Sequence, residues 1–224
     1  MVMPMPNSPS AAQRVRSRFQ TNAQQFDDLY EDQRPLVRLL RPGLLRRRRL
    51  AVDTVAAMTD PHVLDVGCGS GRIGEFVLDA GTARYTGIDF SGPMIDLARA
   101  RLERFGDRVS LSVEDFLDAE LHDSYDVVLA LGLFDYLPEP EPFVTRMAER
   151  CRPSGCVVAS FPAWSWLKGP VRKVRYEWIG DCPIFDYTEP GLERLFGDGG
   201  FQEVEILRPG HSGFLLRAWR NRRT

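Results

Sequence analysis

The sequence predicts an α/β protein: a seven-stranded, mostly parallel sheet with helices on both faces and an antiparallel last strand. Three observations predict it. Short apolar runs alternate along the chain with stretches of helical period, the pattern of repeated βαβ units. One such run, Val63-Leu64-Asp65-Val66, passes directly into Gly67-Cys68-Gly69-Ser70-Gly71, a strand turning sharply into a helix. The last two runs are joined by Arg208-Pro209-Gly210-His211-Ser212, a hairpin connection, so the final strand runs antiparallel.

The elements follow in order. Met1 to Ser10 carries Pro4, Pro6 and Pro9, lacks the apolar core of a signal peptide and is expected to be a disordered tail. Residues 11–58 form an N-terminal helical unit: a helical region from Ala12 to Leu40, a break at Pro42-Gly43, and a second helix from Leu44 to Met58. Residues 59–224 then carry the sheet. Strands are expected at His62–Val66, Tyr85–Ile88, Val109–Val113, Tyr125–Leu131, Cys156–Phe161, Phe201–Leu207 and Gly213–Trp219. Helices fill the intervals at Arg72–Leu78, Pro93–Phe105, Pro140–Cys151 and Pro190–Phe196, and Ile95, Leu97, Ala98 and Leu102 mark the inner side of the second. An insert at 162–187 separates the fifth strand from the last helix.

Composition narrows the class. At 224 residues and 43% hydrophobic content, the chain can bury a sizeable core. A net charge of −2 gives no overall nucleic-acid signature. Cys68, Cys151, Cys156 and Cys182 form no metal-like pairs, and no acidic pair stands at ligand spacing from a histidine, so no metal site is expected. The cysteines read as reduced and the compartment as cytoplasmic. No apolar run reaches 18 residues, so no membrane span is expected.

In a parallel sheet, ligands bind beyond the carboxyl ends of the strands. The glycine turn and the following helix N-terminus there suit a carboxylate or a phosphate. Asp89 ends the second strand 24 positions after Asp65, and that spacing in a βαβ unit suits a carboxylate accepting both ribose hydroxyls. Gly69-Ser70-Gly71-Arg72-Ile73-Gly74 also matches the dinucleotide pattern of NAD-dependent oxidoreductases. Asp65, just before the turn, counts against that alternative, because its charge would repel a pyrophosphate.

Asp65-x-Gly67-x-Gly69-x-Gly71 resembles the first motif of the class I S-adenosylmethionine-dependent methyltransferases, and further motifs follow in order. Tyr85-Thr86-Gly87-Ile88-Asp89-Phe90-Ser91, Pro93-Met94-Ile95, Val113-Glu114-Asp115-Phe116, Asp126–Leu131 and Cys151-Arg152-Pro153-Ser154-Gly155 continue the likeness over about Asp60 to Arg220. The resemblance implies a Rossmann-like sheet and S-adenosyl-L-methionine as cofactor. It implies that Asp65, Gly67, Cys68, Gly69, Gly71, Asp89, Phe90, Met94, Asp115, Phe116 and Leu131 line the cofactor site. Met94 and Phe116 would lie against the adenine, Asp115 would take its amino group, and Asp65 would hold the methionine amino group. It also implies that the fourth strand ends beside the reacting methyl, and that the N-terminal unit folds over the rim as a lid. The layout further resembles the magnesium-protoporphyrin O-methyltransferase group.

An oxygen acceptor must lose a proton and a nitrogen acceptor must be unprotonated. Asp135 and Tyr136, after the fourth strand, and His211, in the last loop of the rim, are the candidates; a turn histidine without a role is the plainer reading of His211. Phe26, Tyr30 and Arg34 share one helix face at a spacing of four and either line the rim or pack on the domain. The insert carries Trp164, Trp166, Tyr176, Trp178 and Phe185 among Lys168, Arg172, Lys173 and Arg175. An aromatic wall with cations suits a flat or apolar acceptor bearing an anionic group, with Trp164, Arg172 and Tyr187 as contacts; a self-packed loop is the alternative. Arg34 to Arg49 holds seven arginines and no acid, which is a solvated face or a guide for an anionic substrate or RNA. The expected partner is therefore a small-molecule methyl acceptor rather than nucleic acid, with an RNA or protein acceptor as the alternative and a monomer or homodimer as the assembly.

Overall fold

A computed structural model of the chain describes residues 42–81, 83–162, 185–208 and 213–221, with single helical positions at 14, 15, 17, 20, 21, 23, 24 and 27. Helix α1 (Pro42–Ala56) leads into β1 (His62–Val66), α2 (Arg72–Asp79), β2 (Arg84–Asp89) and α3 (Gly92–Leu102). A 3-10 turn (Glu103–Arg108) precedes β3 (Val109–Val113) and β4 (Tyr125–Leu131). Then come α4 (Glu141–Arg150), β5 (Cys151–Phe161), α5 (Glu189–Asp198), β6 (Glu203–Leu207) and β7 (Phe214–Trp219).

The strands form one sheet in the order β3-β2-β1-β4-β5-β7-β6. β1 pairs in parallel with both β2 and β4, and β4 with β5. β7 runs antiparallel to β5 and β6, as the hairpin connection predicts. The order reverses direction at β1, so the crevice between the ends of β1 and β4 is the topological switch point where such sheets take ligands.

Alternation along each strand divides the interior in two. Leu64, Val66, Val128, Ala130, Val157 and Ala159 face α4 and α5, where Met147, Leu192 and Phe196 close the layer. Val63, Tyr85, Val127, Leu129 and Val158 face α1, α2 and α3, against Ala51, Val77, Leu78 and Ile95. Strands buried on both faces must be apolar throughout, which explains why β4 reads as an unbroken run.

Several boundaries shift by a residue or two from the sequence reading, and three of the differences have a clear physical cause. Pro42-Gly43 opens α1 instead of lying outside it, because a first-turn proline gives up an N–H that would have no helical partner. The helix expected to reach Phe105 ends at Leu102, and the 3-10 turn takes over, with Gly106 at φ 55. β5 begins at Cys151, which pairs with Tyr125, and the ladder resumes at Cys156 opposite Val127, so Arg152-Pro153-Ser154-Gly155 bulges out between them. Arg152 Nη1 anchors that bulge on Asp126 Oδ1 at 2.6 Å. Among the described residues no helix is long and apolar enough to cross a membrane.

Candidate functional site

The glycine turn is built as its sequence demands. Gly67, Gly69 and Gly71 have φ of 69, 55 and 75, left-handed values that a side chain strains. The N–H groups of Gly67 and Cys68 both donate to the Ile88 carbonyl, at 2.8 and 3.1 Å, which draws the ends of β1 and β2 together. A Cβ on Gly71 would lie 3.1 Å from Ala98, whereas one on Gly69 would meet nothing within 4 Å. The loop is thus packed at its base and open at Gly69. No side-chain hydrogen bond caps the N-terminus of α2 at Gly71, and the positive end of that helix faces the opening.

Asp89 stands beside this opening. Its Oδ2 accepts the Gly69 N–H at 2.9 Å and its Oδ1 the Ser91 N–H at 2.9 Å. The residue is 8% exposed; burial pushes its pKa up, against the pull of those two bonds. Each carboxylate oxygen retains acceptor capacity beyond its backbone bond. Ser91 caps α3 by accepting the Met94 N–H, which fixes the start of that helix just after Asp89.

Asp65 is held differently. It is buried, and its Oδ2 accepts from the Tyr85 hydroxyl at 2.7 Å. Burial raises its pKa to about 7; the Tyr85 bond opposes the rise and the Asp89 charge adds to it. The neighbouring Cys68 thiol is pushed well above its ordinary value, first by burial and then by Asp65 and Asp89. It is a packed, neutral thiol rather than a nucleophile.

The end of β4 forms the opposite wall. Gly132 has φ 90, and its N–H donates to Ser160 Oγ at 2.9 Å. Arg47 of α1 lays its guanidinium over this point: a Cβ on Gly132 would lie 3.3 Å from Arg47 Nη1. Arg47 Nη2 is also 3.8 Å from Asp135 Oδ2, with side chains 20% and 12% exposed. Asp135 lies in a 3-10 turn, Phe134–Tyr136, whose Asp135 carbonyl accepts the Phe185 N–H at 3.1 Å. Asp135 and Tyr136 are therefore brought to the rim with Leu131 and Gly132, opposite the glycine turn.

Two expected contacts are engaged by protein partners. Phe116 belongs to the core: its ring faces Phe143 at 6.0 Å and Arg146 at 5.6 Å, and it is 4% exposed, because the Asp115 carbonyl and carboxylate fold the following backbone inward. The Tyr187 hydroxyl donates to the carbonyls of Phe134 and Leu137 at 3.3 and 3.4 Å, and its ring packs edge-on against Phe161 at 5.0 Å. It pins the Asp135 turn, and burial pushes its pKa up. Tyr30, Arg34, Trp164, Arg172 and His211 lie outside the described residues, as do Phe26 and most of the insert.

Sequence reading missed two residues. Arg47 was submerged in a run of like charges; its mark is a place on the inner side of α1, four residues before the buried Ala51. Asp27 lies next to Phe26 and is buried at the glycine turn by Ser70, Arg72 and Arg101. Nothing local distinguishes it from a surface acid.

Known proteins resemble this chain in sequence and in fold. Residues 63–155 match the family described as a methyltransferase domain. The chain is 34% identical over 111 residues to a ubiquinone biosynthesis O-methyltransferase of Nitrosospira multiformis, covering 49% of this chain and 46% of that protein. The chain thus spans about half the length of the curated relatives it matches. Among solved structures, magnesium protoporphyrin IX methyltransferase of Synechocystis PCC 6803 with bound SAH superposes at a TM-score of 0.76 and 19% identity, over 95% of this chain and 100% of that one. Burkholderia thailandensis 1,6-didemethyltoxoflavin-N1-methyltransferase superposes at 0.70 and 19% identity, over 99% and 93%. At that identity the two structures show a common fold.

Proposed function

We infer that this chain is a class I S-adenosylmethionine-dependent methyltransferase, which its match to a methyltransferase domain over residues 63–155 supports, and that it transfers a methyl group to an oxygen or nitrogen atom of a small molecule. The observation that carries the reading is the opening over Gly69, with the Asp89 carboxylate hydrogen-bonded to the Gly69 amide at its edge. A bare left-handed backbone, an uncapped helix N-terminus and a buried carboxylate suit a nucleoside with a zwitterionic tail.

S-adenosylmethionine, when bound, supplies a methyl group activated by a sulfonium. Asp89 accepts from the ribose hydroxyls. The α2 amides and the Arg47 guanidinium serve the carboxylate of the tail, and Asp65 its ammonium; an ionised Asp65 is favoured once that cation lies beside it. Gly132 and Leu131 place the reacting end against the acceptor. Asp135 and Tyr136 orient the acceptor atom for in-line displacement and take its proton where it has one. His211 is the other candidate base. The acceptor that Trp164, Arg172, Tyr30 and Arg34 suit by residue type is a flat or apolar molecule with an anionic group. Relatives named for ubiquinone biosynthesis and magnesium protoporphyrin IX support a small-molecule acceptor.

Calorimetric titration with S-adenosylmethionine, S-adenosylhomocysteine and NADH tests the reading. Micromolar affinity for the first two and none for NADH is expected. Binding of NADH alone would overturn it.

A further inference from the structure

We propose that Asp27 is a positioning residue for the cofactor: from the N-terminal helical stretch, its carboxylate clamps the Ser70–Arg72 part of the glycine turn onto α3. The inference rests on the methyltransferase reading above. It concerns a residue whose carboxylate is taken up by Ser70, Arg72 and Arg101 and which acts through the loop.

The contacts converge on one buried group. Asp27 is 4% exposed. Its Oδ1 accepts from the Ser70 hydroxyl and from Arg72 Nε, the latter at 2.8 Å, and its Oδ2 accepts from Arg101 Nη2 at 2.7 Å. Arg72 Nη2 also donates to the Asp27 carbonyl at 3.1 Å, and Arg101 Nη1 donates to the Ser70 carbonyl. Glu75 adds a second acid, 3.8 Å from Arg101 Nε. Three separate stretches of chain therefore meet at Asp27, which lies 43 to 74 positions before its partners.

A charge is buried only where paired donors repay its lost hydration, and three donors do so here. Burial alone would raise the Asp27 pKa; the bonds from Arg72, Arg101 and Ser70 outweigh it and hold the carboxyl well below its usual range. The geometric result matters more. Gly69 is held from one side by Asp89, and Ser70 and Arg72 from the other by Asp27. Gly69 and Gly71, in left-handed conformations on either side of Ser70, are thereby fixed with the opening over Gly69 intact. Without Asp27, Arg72 and Arg101 lose their shared counterion and the Ser70 hydroxyl its acceptor. The loop can then sample conformations that fill or misalign the opening, so the penalty falls on cofactor affinity, with the acceptor-facing residues around β4 untouched.

The test compares Asp27→Ala, Asp27→Asn, Asp27→Glu, Arg101→Gln, Ser70→Ala and the double variant Asp27→Asn/Arg101→Gln. Calorimetry with S-adenosylhomocysteine is the readout. Asp27→Ala and Asp27→Asn should weaken binding by about tenfold or more, and Asp27→Glu should restore part of the loss. The double variant should lose less than the product of the two single factors, since both break one clamp. With an acceptor in hand, the same factor should appear in KM for S-adenosylmethionine, with kcat unchanged. Arg217→Gln breaks the Arg217–Glu205 pair far from the turn and should leave affinity as it was. If Asp27→Ala does not fold, Asp27→Asn and Ser70→Ala read the same clamp. Folded variants that bind within twofold of the unaltered protein overturn the inference. Failure of the unaltered protein to bind S-adenosylhomocysteine overturns the methyltransferase reading, and this inference with it.

Discussion

Replacing Asp89 by alanine removes the acceptor of two backbone N–H groups and, on the proposed reading, of two ribose hydroxyls. A hydrogen bond to a charged group contributes about 1.5–3 kcal/mol, so the two bonds to Gly69 and Ser91 suggest a large loss of stability. The raised pKa of Asp89 says otherwise: burial opposes the charge by more than those bonds favour it. Removing the carboxylate relieves that cost and vacates room for water beside the Gly69 and Ser91 amides. The ligand-free protein should therefore lose only about 1 kcal/mol. Cofactor affinity should fall by about 1–3 kcal/mol, or roughly 5- to 150-fold, because the ribose loses its charged acceptor. Asp89→Asn should be no better, since the amide must turn its NH2 toward Gly69 or Ser91, donor against donor. Thermal unfolding and calorimetry with S-adenosylhomocysteine read the two quantities separately. An Asp89→Ala variant that binds within twofold of the unaltered protein would refute the ribose placement. One that loses several kcal/mol of ligand-free stability would refute the electrostatic argument.

Other outcomes follow from the same geometry. Gly69→Ala meets open space but needs a left-handed alanine, so it should cost about 1–2 kcal/mol of stability and weaken cofactor binding further, as measured by denaturation and titration. Asp65 is raised in the folded state from 3.8 to about 7. Its protonated form therefore favours folding, and stability from this group is lost as pH rises from about 4 to 7. Denaturation across that range should show the decline in the ligand-free protein and a flatter curve in Asp65→Asn; parallel curves would contradict the assignment. Arg47→Ala should raise KM for S-adenosylmethionine, and an unchanged KM would remove Arg47 from the cofactor site. Once the acceptor is known, Asp135→Asn or Tyr136→Phe should lower kcat. If neither does, nor His211→Ala, proton removal by these groups is wrong.

The sheet and the glycine turn were legible because their signals are local. Apolar runs at strand length and left-handed glycines declare themselves within a few residues, and all seven strands stand where the runs placed them, though β5 starts earlier through its bulge. Asp89 was legible because βαβ geometry fixes its distance from Asp65. Arg47 and Asp27 were not, because their partners are remote in sequence: Asp135 for the first, Ser70, Arg72 and Arg101 for the second. A buried ion pair and a solvated one have the same composition. Phe116 has partners hidden for a related reason. Its place after an acid at the end of β3 fits a rim residue, yet its ring packs under Phe143 and Arg146. Tyr187 sits at the rim, but its hydroxyl is used by two carbonyls that no sequence pattern could have marked.

The sheet order carries a consequence for biosynthesis. β7 (Phe214–Trp219) follows the other six described strands in chain order, yet it lies inside the sheet, between β5 and β6. In the growing chain, β5 has a bare edge until β7 emerges, and β6, made earlier, has no neighbour until the same moment. An unpaired edge invites pairing with other chains. The molecule therefore depends on the ribosome releasing residues 214–219 before that edge finds a foreign strand, and slowed release should favour aggregation over native closure. For the same reason, a cut between β6 and β7 removes an interior member of the sheet and strands β6 with it.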